Sequence, residues 1–188
     1  MIVYGDSYTS GEDNNGVSFA DYLKVAKCGV SGSCLGEYSI YPVYNGSFVS
    51  LYQNCQKTVL LEYGVNDAAS LVAKYVDMHK IKIAVAQAAD LLQNNDVYFL
   101  ALTRSQRDLK SFCDRYADYL NNEYLRDLCV VQSEDYQNSY ENFVAVMQKK
   151  FKTLYMLPDG FQDFSADGIH PTNKGHKTIA TYLQKQLR

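Results

Sequence analysis

Short apolar runs of strand length alternate along the chain with longer segments whose apolar positions recur at helical spacing. Runs without polar alternation indicate strands that are buried on both faces, as in a parallel sheet covered by helices. The predicted strands are 2–4, 58–63, 97–102 and 153–157, and the predicted helical segments are 18–25, 68–92 (one or two helices), 140–151 and 172–187. This alternation predicts an α/β fold, with functional groups at the carboxyl ends of the strands.

Helix-capping signals refine two of these boundaries. Ser18 with Asp21 has the spacing of a capping box at the start of the segment 18–25. Asp67 precedes an apolar helical pattern, and we expect its carboxylate to cap that helix. Segment 104–138 shows no recognisable motif; its part 109–138 is polar and rich in tyrosine, with helical spacing at Phe112, Tyr116 and Tyr119–Leu120.

Length and composition limit the classes of protein to consider. A chain of 188 residues fits one domain, 1–188, with 104–138 as a candidate family-variable insertion. The net charge of -3 and the pI of about 5.6 provide no basic surface for nucleic acid. Apolar runs all fall short of the ~18 residues of a membrane span. The chain opens on its first strand, so we expect a cytoplasmic protein, or a secreted one if a leader has been removed.

The five cysteines are Cys28, Cys34, Cys55, Cys113 and Cys129. They are odd in number and contain no CxxC pair, so they predict reduced thiols and no metal centre. We expect no organic cofactor either.

Serine, histidine and aspartate in separate segments together predict nucleophilic catalysis. Ser7 follows the first strand within Gly5-Asp6-Ser7, at or near a helix N-terminus. A serine hydroxyl is a poor nucleophile unless a base takes its proton, and His170 is the candidate base. Asp167 lies three residues before His170, so it can turn back to hold the imidazole in the required tautomer.

Two further segments supply candidate donors for an oxyanion hole. Gly32, in a short turn, can present a backbone N–H without a side chain in the way. Asn66 can present its side-chain amide from the turn after the strand 58–63, and the backbone N–H of Ser7 is the third candidate. Each such group alone has an ordinary structural explanation in a turn or cap, but the four segments in this order favour ester hydrolysis.

These segments resemble the conserved blocks of the SGNH hydrolase superfamily, the GDSL-type esterases and lipases. The matching blocks are Gly5-Asp6-Ser7 (with Tyr8 where leucine is common), Gly29-Val30-Ser31-Gly32, Gly64-Val65-Asn66-Asp67 and Asp167-Gly168-Ile169-His170. The resemblance implies a flavodoxin-like three-layer α/β/α sandwich with a five-stranded parallel sheet. It also implies Ser7, Asp167 and His170 as catalytic residues and Ser7, Gly32 and Asn66 as the oxyanion hole.

The predicted function is therefore a serine esterase acting on small acyl esters, acetyl esters first, with carbohydrate as the candidate alcohol. An acyltransferase using the same triad is the alternative, and a silent binding module or a nucleotide-binding flavodoxin-like protein is less favoured. The expected partner is a small-molecule or carbohydrate ester, with no nucleic acid and no membrane span. His79 and His176 are expected to be a solvated helix residue and a structural residue, respectively.

Overall fold

The computed structural model describes residues 1–41, 46–53, 57–123 and 130–188, and in them it contains a five-stranded, wholly parallel sheet. The spatial order is β2-β1-β3-β4-β5. The strands are β1 (Ile2–Gly5), β2 (Ala26–Gly29), β3 (Val59–Glu62), β4 (Val97–Ala101) and β5 (Lys152–Tyr155). The α/β sandwich class predicted from the alternating pattern is confirmed.

The register of the strands sends alternate side chains into two separate cores. Tyr4 is paired with Leu61, and Leu61 with Phe99, so equivalent positions on adjacent strands face the same side. One core contains Val3, Leu60 and Leu100, and the other contains Tyr4, Leu61 and Phe99. Burial on both faces explains why these strands have no polar alternation.

Helices cover both faces of the sheet. They are α1 (Ser7–Ser10), α2 (Phe19–Leu23), α3 (Phe48–Leu51), α4 (Val65–Val72), α5 (Met78–Leu91), α6 (Gln106–Glu123), α7 (Ser133–Gln148) and α8 (Asn173–Gln186). Apolar residues of α2, α6 and α8 belong to the first core, those of α3 and α5 belong to the second, and α7 contributes to both. In the described residues, no helix is long and apolar enough to cross a membrane.

The structure adds strand β2 to the predicted elements and resolves two predicted helical features. Strand β2 was not predicted, because it lies at the sheet edge and its side chains are only partly buried. The segment 68–92 divides into α4 and α5, and Asp77 caps the second helix by accepting from the Lys80 backbone N–H. The capping box of Ser18 and Asp21 is confirmed.

Asp67 does not cap α4, contrary to the prediction. Its Oδ1 instead accepts hydrogen bonds from the Leu35 backbone N–H (3.1 Å) and the Tyr38 hydroxyl (2.8 Å). The N-cap position belongs to Gly64, which has no side chain to contribute. Full burial of Asp67 explains the difference, since its carboxylate must find donors within the fold rather than at an exposed helix end.

Segment 104–138 is largely helical where it is described. It contains α6 and the beginning of α7, which pack against each other. Whether it is a family-variable insertion stays a prediction. Among the cysteines, Cys28, Cys34 and Cys113 are free thiols, while Cys55 and Cys129 lie outside the described residues.

Candidate active site

The carboxyl ends of three adjacent strands carry the segments singled out in the sequence. Ser7 follows β1 and is the first residue of α1, and Asn66 follows β3 in the first turn of α4. Gly32 follows β2 in a turn and has φ of 72°, a conformation that glycine adopts without strain. Since the three strands are parallel neighbours, all three residues reach the same edge of the sheet.

A small cleft opens at this edge. Four of the five predicted site residues line it, and aromatic side chains form much of the remainder of the wall. The lining residues are Ser7, Glu12, Ser31, Gly32, Tyr41, Asn66, Tyr116, Tyr119 and His170. The fifth predicted residue, Asp167, contacts the cleft only through His170.

Asp167 and His170 form a tightly ordered pair. Asp167 Oδ2 lies 2.5 Å from His170 Nδ1, and Oδ1 of the same carboxylate accepts from Ser165 Oγ (2.6 Å). Backbone N–H groups of Ile169 (2.8 Å) and His170 (3.0 Å) also donate to that oxygen. The carboxylate is therefore fixed by its own loop, and its bond to Nδ1 leaves Nε2 as the ring nitrogen available in the cleft.

Acidic groups around His170 raise its pKa. Burial of the imidazole acts in the opposite direction, but the hydrogen bond and charge of Asp167 outweigh it, with added contributions from Glu12 and Asp13. Glu12 Oε2 lies 3.7 Å from Nε2, and Asp13 Oδ2 lies 3.6 Å from Nδ1. Partial burial would raise the pKa of Asp167, yet its hydrogen bonds from His170, Ser165 and the backbone bring the pKa well below the usual value.

The Ser7 side chain is 9% exposed and lies at the cleft without a hydrogen bond to His170. Its Oγ instead faces Asp6 Oδ1 at 3.5 Å, a long and weak contact. Hydrogen bonds between a nucleophile and its base are often loose before substrate binds. The geometry between the Ser7 hydroxyl and the His170 ring must therefore change before the hydroxyl can donate to Nε2.

Asn66 is held by hydrogen bonds from both ends of its amide group. Its Nδ2 donates to Asp6 Oδ2 (3.1 Å) and to the Ser33 carbonyl oxygen (3.1 Å). The Tyr116 hydroxyl donates to Asn66 Oδ1 (3.0 Å), which fixes the orientation of the amide. An oxyanion would have to share one of these Nδ2 protons, so Asn66 is a positioned donor with competing acceptors.

Three functional neighbours of the site were not predicted from sequence. The Tyr8 hydroxyl donates to the Ile169 carbonyl oxygen (2.6 Å), and Arg115 Nε donates to the Gly168 carbonyl oxygen (2.9 Å). Both bonds hold in place the histidine loop, the segment 167–170 that carries Asp167 and His170. Tyr116, which holds Asn66, also comes from the segment 104–138, whose only sequence signal was helical spacing of its aromatic residues.

The remaining histidines have the predicted structural environments. His79 is exposed on α5, whereas His176 is fully buried. The His176 Nδ1 accepts from the Phe19 backbone N–H (3.1 Å), and burial lowers the His176 pKa to about 4. This histidine therefore stays neutral and contributes to packing between α2 and α8.

A metal ion could contact one group of acidic and histidine ligands in the described part of the chain. Candidate ligand atoms of Asp13, Asp167 and His170 lie within 4.8 Å of one another. The His170 Nδ1 in this group is already hydrogen-bonded to Asp167, so metal binding there would displace that bond. The expectation that the protein needs no cofactor stays a prediction.

The chain matches no protein-family model and no curated protein sequence. Solved structures nevertheless share its fold. The family 3 carbohydrate esterase of Clostridium thermocellum has a TM-score of 0.55 at 16% identity, over 98% of this chain and 92% of that one. Phospholipase A1 from Streptomyces albidoflavus NA297 has a TM-score of 0.51 at 13% identity, over 98% of this chain and 97% of that one.

A third similar structure is an acetyl xylan esterase from the rumen bacterium Butyrivibrio proteoclasticus. It has a TM-score of 0.50 at 13% identity, over 100% of this chain and 63% of that one. At such identities the likeness concerns the fold, and it agrees with the five-stranded parallel sheet described above. The chain therefore shares the fold of these esterases and of this phospholipase.

Proposed function

We propose that this protein is a serine esterase that hydrolyses small acyl esters, with Ser7 as nucleophile, His170 as base and Asp167 as its carboxylate partner. The observation that carries the proposal is the hydrogen bond between Asp167 and His170, whose imidazole shares a cleft with Ser7. The Asp167–His170 pair supplies the oriented and electrostatically supported base that a serine hydroxyl needs to become nucleophilic.

The proposed reaction proceeds by two acyl transfers. His170 Nε2 takes the Ser7 proton while Oγ attacks the ester carbonyl carbon, forming a tetrahedral intermediate. The Ser7 and Gly32 N–H groups and the Asn66 amide would stabilise its oxyanion. His170 then protonates the leaving alcohol, and a water molecule repeats the sequence on the acyl-enzyme to release the acid and regenerate Ser7.

The cleft lining suits a small acyl group, since the bulky side chains of Tyr41, Tyr116 and Tyr119 stand in its wall. Tyrosine combines an apolar ring with a polar hydroxyl, which suits contact with sugar rings. We propose acetyl esters of carbohydrate as the first substrate class, in line with the carbohydrate esterase and acetyl xylan esterase among the similar structures.

The test is hydrolysis of p-nitrophenyl esters from acetyl to octanoyl by the wild type and the Ser7→Ala variant. Ser111→Ala is the matched control, because Ser111 lies on the exposed side of α6 away from the cleft. We expect turnover that is fastest for acetyl, lost in Ser7→Ala and unchanged in Ser111→Ala. Equal turnover by folded Ser7→Ala would refute the serine mechanism, and a preference for octanoyl would refute the acetyl assignment.

Acyl transfer to an alcohol instead of water is the second candidate function, since the same three residues would form the same acyl-enzyme. The esterases among the similar structures favour hydrolysis. Product analysis with sugar acceptors separates the two, because hydrolysis releases free acid and transfer forms a new ester.

A further inference from the structure

We propose that Glu62 is a positioning residue for this site: as a neutral carboxylic acid it donates a hydrogen bond to Asp6, and Asp6 in turn orients the Asn66 amide. The inference rests on the proposed esterase function and concerns the support of its oxyanion donor. Glu62 is the last residue of β3 and lies directly beneath the turn that carries Ser7.

The Glu62 side chain has a fixed place in the fold. It is 2% exposed, and its Oε2 accepts from the Asp6 backbone N–H (3.1 Å) and from Thr9 Oγ1 (2.9 Å). Gly5 leaves room for the Glu62 carboxyl group, because a Cβ at position 5 would lie 2.2 Å from Thr9 Oγ1 and 2.5 Å from Glu62 Oε2. Close approach of backbone and carboxylate therefore requires glycine at that position.

Asp6 connects this buried carboxyl group to the cleft. It is fully buried, and its backbone N–H donates to Glu62 Oε2, which places the two carboxyl groups close together. The Asp6 carboxylate accepts two hydrogen bonds from residues at the site. Its Oδ1 accepts from the Tyr8 backbone N–H (3.2 Å), and its Oδ2 accepts from Asn66 Nδ2 (3.1 Å). A displacement of the Asp6 carboxylate would therefore directly affect the orientation of the Asn66 amide.

Two carboxyl groups in contact and out of water cannot both be ionised without a cation. The groups that interact electrostatically with Glu62 include the neutral hydroxyl groups of Tyr8, Tyr63 and Tyr140 and the carboxyl group of Asp6. The charges that act on Asp6 include those of His170 and Glu12. No lysine or arginine forms a salt bridge to either carboxyl group within the described part of the chain.

Glu62 is the member of the pair that keeps the proton. Burial raises the pKa of Asp6 to about 6 although donors from Tyr8 and Asn66 favour its ionised form, whereas burial and the charge of Asp6 raise the pKa of Glu62 well above its usual value. A neutral Glu62 can donate to Asp6 while its other oxygen accepts from Thr9 and the Asp6 N–H. Loss of that proton at high pH would place two negative charges in contact and displace Asp6 from Asn66.

The kinetic test compares Glu62→Gln with Glu62→Leu on p-nitrophenyl acetate across pH. Glutamine reproduces the neutral acid, since its NH₂ group can donate to Asp6 and its carbonyl oxygen can accept. We expect Glu62→Gln to keep kcat within about threefold and to lack the alkaline decline of the wild type. We expect Glu62→Leu to lose ~10²-fold in kcat, with little change in KM, a loss similar to that of one oxyanion donor.

Equal losses in the two variants, or an alkaline decline retained in Glu62→Gln, would overturn the assignment. A readout independent of turnover is infrared difference spectroscopy in the Ser7→Ala background at pH 7. We expect a protonated-carboxyl band that the Ser7→Ala/Glu62→Gln double variant lacks; identical spectra would overturn the neutral state of Glu62. Lack of Ser7-dependent turnover would instead refute the proposed function, so the two failures are distinguishable.

Discussion

The Tyr8 hydroxyl donates a 2.6 Å hydrogen bond to the carbonyl oxygen of Ile169, and so connects two segments 161 positions apart in the sequence. Tyr8 follows Ser7 directly, and Ile169 precedes His170. The bond therefore holds the segment of the proposed nucleophile, Ser7, against that of the proposed base, His170. Both residues are almost completely buried, at 1% exposure, so water cannot replace a lost partner.

Replacement of Tyr8 by phenylalanine tests this connection. The ring keeps its packing, but the Ile169 carbonyl loses its donor, and we expect the free energy of unfolding to fall by about 1–3 kcal/mol. We also expect kcat/KM to fall by about tenfold or more, since small displacements of reacting groups are costly. Urea denaturation and ester hydrolysis measure the two effects. Wild-type kcat/KM in Tyr8→Phe would show that the bond does not position the base.

The pH dependence of kcat/KM reports the ionisation of His170. The imidazole must be neutral to accept the Ser7 proton, and its pKa is raised, so activity should increase with pH to a midpoint above the ordinary histidine value of about 6.5. Glu12→Gln removes one of the charges that raise this pKa and should move the midpoint to lower pH.

Asp159→Asn is the control for the charge change, because Asp159 is exposed and is not among the groups that act on His170. Its midpoint should equal that of the wild type. A midpoint that moves to higher pH in Glu12→Gln would contradict the electrostatic account.

The contact of Tyr116 with Asn66 predicts a non-additive pair of substitutions. Asn66→Ala should lower kcat by ~10²–10³, the usual effect of losing an oxyanion donor. Tyr116→Phe removes the hydroxyl that orients the amide and should lower kcat by about tenfold. In the Asn66→Ala background the same change should have little further effect, because its target is gone. Fully additive losses would show that Tyr116 acts independently of Asn66.

The buried carboxyl group of Asp67 should make the free energy of unfolding depend on pH, and its replacement by asparagine should remove that dependence. Burial raises its pKa from 3.8 to about 7, and its Oδ2 has no hydrogen-bond partner. The unfolded chain releases this proton near pH 4 but the folded protein keeps it to about pH 7. Stability from this group is therefore full below pH 4 and declines as pH rises to 7, by on the order of 4 kcal/mol.

Asp67→Asn carries no such titration, so its stability should fall less than that of the wild type between pH 4 and pH 7. Urea denaturation at several pH values measures both proteins. Parallel stability curves would show that Asp67 is already ionised in the folded protein at low pH.

Much of the fold could be predicted because three strands (β1, β3 and β4) consist mainly of apolar residues, as Val97–Ala101 does throughout. Burial on both faces leaves a signal in the sequence itself. Strand Ala26–Gly29 leaves no such signal in the sequence, because an edge strand that contains Lys27 does not differ from a loop in composition. Its place in the sheet is determined by pairing with β1, which is a tertiary interaction.

The candidate site, like the fold, has one part that could be predicted from the sequence and one part that could not. Ser7, Asn66 and His170 could be predicted because each lies in a short segment whose residue types match a known chemical role. The supporting contacts could not, since Asp6 and Glu62 are 56 positions apart and meet only when β1 and β3 pair. Tyr8 carries no sign in the sequence that its hydroxyl reaches the histidine loop.

Covalent labelling with a fluorophosphonate tests the central claim most directly, because the probe reacts with an activated serine whatever the natural substrate. We predict one label per chain, on Ser7 in peptide mass mapping, with none in Ser7→Ala and strongly reduced labelling in His170→Ala. Ser10 and Ser31 lie close by, 3.1 Å from each other, and serve as internal controls. A folded protein that is not labelled, or is labelled at Ser10 or Ser31 instead, would contradict the assignment of Ser7 as nucleophile.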